Sequence, residues 1–132
     1  MGSAVNELLV ALQAHLTLDA ALGALIGPDG LRDRRVLGLD LPALLLGTVE
    51  ARDFSTASEA GLECLLTLEA WSAEGRREVE AVADAVRGLL DDAELSLPGH
   101  RLVSLRHRRT VSRREAKTGF FVAEMSFRAV VE

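Results

Sequence analysis

Three histidines, one cysteine and a scatter of carboxylates are the groups in this sequence with the chemistry for a reactive site. Their spacing argues against one. His15, His100 and His107 each lack a second ligand at the short, regular separations that metal sites use. Cys64 lies in an apolar run with no base beside it and reads as a small hydrophobe. As the one cysteine it allows no intrachain disulfide and says little about redox compartment. Glu78, Glu80 and Asp84 resemble a carboxylate cluster, but helical pairing with Arg77 and Arg87 explains them more simply. Asp91 and Asp92, near a helix end, could meet a partner's cation, with ordinary solvation the plainer alternative. Gly27-Pro28-Asp29-Gly30 lacks the lysine and hydroxyl of a phosphate loop, and Pro28 removes a backbone donor. No serine has the context of a nucleophile elbow. The expectation is a protein with no catalytic residue, no metal and no cofactor.

A basic stretch is the remaining candidate. Arg101, Arg106, His107, Arg108, Arg109, Arg113, Arg114 and Lys117 crowd around one hairpin near the C-terminus. They fit a projecting arm that grips a protein neighbour or nucleic acid, or more blandly a solvated, mobile tip. Readers of single strands add aromatics for stacking, and none lies between residues 72 and 119. Backbone-only binding to duplex stays open. Protein contact is preferred, with Arg106, Arg108, Arg109, Arg113, Arg114 and Lys117 as the expected interface to a neighbouring subunit. The charge layout agrees. Residues 1–100 carry 17 acidic and 7 basic side chains, whereas residues 101–132 carry 3 and 8. Oppositely charged regions favour head-to-tail association of copies.

The elements that must position these side chains follow from periodicity. Val5, Leu8, Leu9, Leu12 and Leu16 form a helical stripe. Thr17 is placed to cap a short continuation with Leu18, Leu22, Leu25 and Ile26, which ends at the Gly27–Gly30 turn. In residues 31–42, Arg32, Asp33, Arg34 and Arg35 look solvated, and Pro42 suggests entry to an edge strand. Ala43–Ala51 reads as a strand, 53–61 as a polar loop, and Leu62–Trp71 as a strand with alternating faces. Val79, Val82, Ala83, Val86, Leu89 and Leu90 mark the clearest helix. A final hairpin pairs His100–Thr110 with Phe120–Val131 around a long basic connection, 111–119. The order is α-β-β-α-β-β: an α+β fold with two helices on a four-stranded, mainly antiparallel sheet and a long C-terminal hairpin. Leu68, Val82, Val86, Leu89, Met125 and Phe127 are the expected core.

Length bounds the organisation. With 132 residues, 48% of them hydrophobic, the chain suits one domain with one core. Burial against neighbouring copies would add stability at this size. The Ala/Leu-rich N-terminus carries Glu7, Gln13, His15 and Asp19 and no preceding basic residue, so neither a signal peptide nor a membrane helix is expected. Folding in the cytoplasm of the producing cell follows.

Several stretches, in order, resemble the tail terminator (tail completion) proteins of long-tailed phages and phage-derived gene transfer agents. They begin with the first helix ending near Leu25-Ile26-Gly27, then Leu41-Pro42-Ala43-Leu44-Leu45-Leu46-Gly47 and Arg52-Asp53-Phe54-Ser55-Thr56 up to Gly61. Leu66-Thr67-Leu68-Glu69-Ala70-Trp71-Ser72 and Ala81–Arg87 follow, then Leu97-Pro98-Gly99-His100-Arg101-Leu102 and the ending Phe127–Glu132. Order and spacing carry the likeness over nearly the whole chain, without a sharp motif. One departure is Ala43 after Pro42, where relatives place a short strand and an aromatic residue. The resemblance implies one tail-terminator-like domain over 1–132, acting as a structural protein of a virion or gene transfer agent particle. It implies a ring of six copies at the head-proximal end of the tail, with tail tube protein and a neck or stopper protein as partners. DNA would pass through the lumen without sequence readout, and no membrane is involved. Two alternatives stay open. One is a neck stopper or head-tail connector of the same particle; the other is a small nucleic-acid-binding module using the basic hairpin at 101–117.

Overall fold

A computed structural model describes residues 3–33 and 40–132. Helix α1 spans Ala4–Thr17 and starts where the Ser3 hydroxyl accepts the amide of Asn6. A second helix, α2 (Ala20–Ile26), is separate and bent 89° from the first. Asp19 rather than Thr17 caps it, accepting the Leu22 amide at 2.9 Å. An ionised cap also suits the positive end of a helix better than a hydroxyl does. No single helix among the described residues is long and apolar enough to cross a membrane.

After the turn comes β1, only Leu31–Arg32, running parallel to β2 (Ala43–Asp53). Two residues are too short to show a period, so sequence reasoning missed this strand. Arg32 is half-buried and bonded to Asp29 at 2.7 Å, not simply solvated. The expectation for Arg34 and Arg35 lies outside the described residues. The connection 54–61 leads to β3 (Leu62–Ser72), then α3 (Arg76–Leu90), β4 (Leu102–Arg114) and β5 (Phe121–Val131). The sheet runs β1-β2-β3-β5-β4, antiparallel at every step except the first. The fold is α+β, as expected, but the described residues form three helices and five strands rather than two and four.

One face of the sheet is covered. Cys64, Leu66, Leu68 and Ala70 of β3 and Ala123, Met125, Phe127 and Ala129 of β5 are essentially inaccessible beneath the helices. Val79, Val82, Ala83, Val86 and Leu90 fill the space from α3, and Leu8, Leu12, Leu16 and Leu22 from α1 and α2. The expected core holds except at Leu89, which is only partly buried at the margin while Leu90 points in. Among the described residues no helix covers the opposite face. A small second cluster of Leu45, Trp71 and Val122 sits at one end of it, with Leu41 and Phe120 packed against it.

Truncating Val86 leaves a cavity beneath α3 that the surrounding sheet cannot fill. Val86→Ala should therefore cost about 1–3 kcal/mol in denaturant unfolding. Glu94→Ala, at an exposed position, serves as the control, and equal midpoints for the two variants would contradict this placement of the core.

Candidate interaction surface

The basic residues converge on one strand. β4 forms an edge of the sheet, and its pairing to β5 sorts its side chains by face. Leu105, His107 and Thr110 oppose Ala129, Phe127 and Met125 under the helices. Arg106, Arg109 and Arg113 oppose Arg128, Ser126 and Val122 on the uncovered face. A bulge between His107 and Arg109 leaves Arg108 without a strand partner. Arg114 ends the strand, and Lys117 lies in the connection to β5.

This geometry corrects the expected bounds of the last hairpin, His100–Thr110 for the strand and 111–119 for the connection. The strand continues to Arg114, so the connection shrinks to residues 115–120. That connection is tied by its own hydrogen bonds. The Glu115 amide donates to Phe120 O at 2.7 Å, Gly119 N to Glu115 O at 2.8 Å, and Thr118 N to the Glu115 carboxylate at 3.2 Å. Gly119 takes φ +75°, a left-handed turn conformation where a side chain would be strained. Arginine-rich strands look like loops in sequence because an edge strand facing solvent does not need apolar alternation.

The six cations divide by what they touch. Arg106 Nε donates to Asp91 Oδ1 at 3.1 Å, and the same oxygen accepts the His107 amide at 2.9 Å. Asp91 thus meets neither a partner nor bulk water alone; it locks the end of α3 to β4. That double contact was missed from sequence, although a carboxylate just past a helix end was its visible trace. Among the described residues, Arg108, Arg109, Arg113, Arg114 and Lys117 have no ion pair or hydrogen-bonded side-chain partner. Five uncompensated cations along one edge can bind carboxylates or phosphates, with the guanidinium forks suited to paired oxygens. Other arginines are compensated internally. Buried Glu63 lies between Arg128 and Arg52 at 2.5 Å each, Arg128 covers the Phe54 ring, and Arg101 forks onto Glu132.

The other candidate groups serve the fold. His15 Nε2 is bonded with Leu89 O at 2.9 Å, joining α1 to α3. His107 stacks edge-on to Phe127 and reaches Thr110 Oγ1. His100 Nδ1 stands 3.1 Å from the Glu7 carboxylate, which also accepts the Gly99 amide. Cys64 is buried, which pushes its thiol pKa up. On α3, Arg87 pairs with Asp84 at 2.7 Å as expected, but Glu78 instead accepts the Ser72 hydroxyl. Among the described residues no three His, Cys, Asp or Glu side chains gather as metal ligands. A second surface escaped sequence reasoning. On α1, Val10, Ala14 and the exposed Leu18 recur every fourth residue, beside an apolar groove of about 600 Å³ reaching Leu31 and Leu46. Contiguous exposed apolar area of this kind is what protein partners cover.

Comparison with known proteins bears on this surface. The family model described as Tail completion protein gp17 matches residues 10–132. A chain in the solved structure described as the virion of a native gene transfer agent (GTA) particle is 30% identical and superposes with a TM-score of 0.88. The match covers 100% of this chain and 99% of that one. No curated protein matches.

The carboxylates predict an acid response. The Gly99 amide holds Glu7 below its ordinary pKa, Arg128 does so for Glu63, and the His107 amide for Asp91. A depressed folded pKa contributes stability that is complete above the unfolded value and lost as pH falls through the folded one. The melting temperature should therefore hold near neutrality and drop below about pH 4. Asp91→Asn should begin lower and lose less over the same acid range. A variant that tracks the unaltered protein in parallel through that range would remove Asp91 from the explanation.

Proposed function

Because the chain belongs to the Tail completion protein gp17 family, we propose that six copies close into a ring on the head-proximal end of a tail tube. In that position the ring ends tube polymerisation and presents a docking face to the neck. The broader role is structural and non-enzymatic, as a tail-completion component of a virion or gene transfer agent particle. Residues 1–132 are read as one tail-terminator-like domain. Tail tube protein, a neck or stopper protein and further copies of the chain are the proposed partners, with DNA passing the lumen unread.

The observation that carries this reading is the end-to-end match to a chain of a gene transfer agent particle, at an identity high enough to extend beyond the fold. The uncompensated edge of β4 supports it from the other direction. An isolated subunit would leave Arg108, Arg109, Arg113 and Arg114 facing water, whereas a ring gives each copy a neighbour whose acidic surface can meet them. The apolar stripe on α1 supplies a second surface for tube or neck. Electron microscopy of particles, and mass photometry of the subunit with and without tube protein, test the ring directly. A subunit scattered singly along the tail would refute it.

Replacing Arg108, Arg109, Arg113 and Arg114 together with Ser should leave the melting temperature nearly unchanged, since all four are exposed. It should impair ring formation or attachment and yield overlong or headless tails under the microscope. Normal tails that deliver DNA poorly would favour nucleic-acid contact by the same strand, and normal particles with normal delivery would leave these arginines as a solvated edge.

A further inference from the structure

We infer that β4 of one copy adds edge-to-edge onto β2 of the next, so that the sheet continues from subunit to subunit. This rests on the ring reading above and names the contact that would close it. The partner is a second copy of this chain.

Both edges are open over a useful length. β4 pairs with β5 on one side; on the other, the Asp92 amide donates to Leu105 O at 2.8 Å and Asp91 accepts the His107 amide, so among the described residues the free edge runs from Arg108 to Arg114. At the far edge, β1 covers β2 only at Leu44 and Leu45, which leaves Leu46–Asp53 without a strand neighbour among the described residues. From Gly47 onward every one of these residues but Val49 is exposed. Open strand edges are templates for pairing with another chain.

Direction is compatible, and the free lengths of the two edges meet when the joining copy is offset toward Arg114. Three antiparallel steps separate β2 from β4, so the two edges run in opposite directions. A copy rotated about an axis roughly along the strands therefore brings its β2 antiparallel to β4, and the same operation repeated can close a ring. The cross-strand partners Glu50, Leu65, Arg128 and Arg106 form one row across the uncovered face. Glu50 therefore stands at the level of Arg106, and Arg109 is the next residue of β4 on that face. Glu50 has no cation partner among the described residues, and Arg109 has no anion. Edge addition on the free length beyond His107 sets Glu50 of one copy beside Arg109 of the next, on the same side of the extended sheet, where opposite charges on neighbouring strands attract.

The bulges fit the same scheme. β2 is irregular between Leu46 and Val49, and β4 between Leu102 and Ser104 and between His107 and Arg109. Bulges bend and twist the strands that hold them, which is the curvature a closed belt of sheet needs. Bulges and arginines also guard an edge against pairing, so the experiment must separate a guarded edge from a joined one.

Cysteine cross-linking does so. Within one chain, positions 50 and 109 lie three strand spacings apart, about 14 Å, beyond the reach of a disulfide. Cys64 is buried and takes no part. The double variants Glu50→Cys/Arg109→Cys and Glu50→Cys/Arg106→Cys, assembled with tail tube protein and mildly oxidised, should give a ladder of covalent multimers on a non-reducing gel for at least one pair. The single variants should give none. Rings visible by microscopy with only monomer on the gel for both pairs would overturn edge addition and leave the ring reading intact. Absence of rings with the unaltered protein would overturn both. Charge reversal supplies an independent readout: Glu50→Arg and Arg109→Glu should each reduce ring yield severalfold, and their combination should restore it. Failure of the combination to restore rings, with each single variant folded, would also overturn the contact.

Discussion

Every residue of β3 from Leu62 to Ser72 pairs with a residue of β5 from Val131 back to Phe121, without a bulge. Side chains of the two strands therefore alternate in step, and one face of the pair becomes a continuous apolar floor of small and large residues. The helices depend on that floor, because α3 buries its stripe against it and α1 and α2 pack beside α3. The outer strands depend on it too, since β4 is held by β5 alone and β2 by β3 except where β1 covers Leu44 and Leu45. A slip of one residue in the central pair would turn Phe127 and Leu68 to solvent and bring Glu63 and Arg128 into the core.

What was legible in the sequence is what burial writes there. The faces of β3 and β5 and the stripe of α3 repeat at their proper periods because each has one dry side. β4 was cut short because its far half has little to bury: Arg109, Val111, Arg113 and Arg114 face water or an edge. α2 was recognised as a restart, but its cap was misplaced by two residues, since Thr17 and Asp19 are both good capping types and only the bend distinguishes them. β1 was invisible because parallel pairing of two residues leaves no pattern. The basic candidates were found by composition, yet their arrangement was not, because whether arginines project from a loop or line a strand depends on pairing across the hairpin.

Charge on this protein falls into a compensated and an uncompensated set. Glu63 between Arg52 and Arg128, Glu132 on Arg101, and Asp91 on Arg106 and the His107 amide each stitch one element to another. Glu63 is buried, so removing both of its arginines would leave a carboxylate without compensation, which is why that contact acts as a fastener more than as a source of stability. Among the described residues, Arg108, Arg109, Arg113 and Arg114 of β4 have no such task inside the subunit. Their exposure and their position on a single edge are what the proposed assembly contact draws on, a role that geometry without a family would leave open.

The place of β5 in the sheet has a consequence for biosynthesis. β5 follows every other element in the chain, yet it lies between β3 and β4 and supplies Met125 and Phe127 to the middle of the core. Until it leaves the ribosome, β3 has an empty flank and α3 covers only part of a floor. Interrupted translation products therefore lack a native core rather than carrying a ragged end, and they remain targets for proteolysis and chaperones. A particle built with this subunit is thereby shielded from incomplete copies, because a nascent chain has no finished sheet.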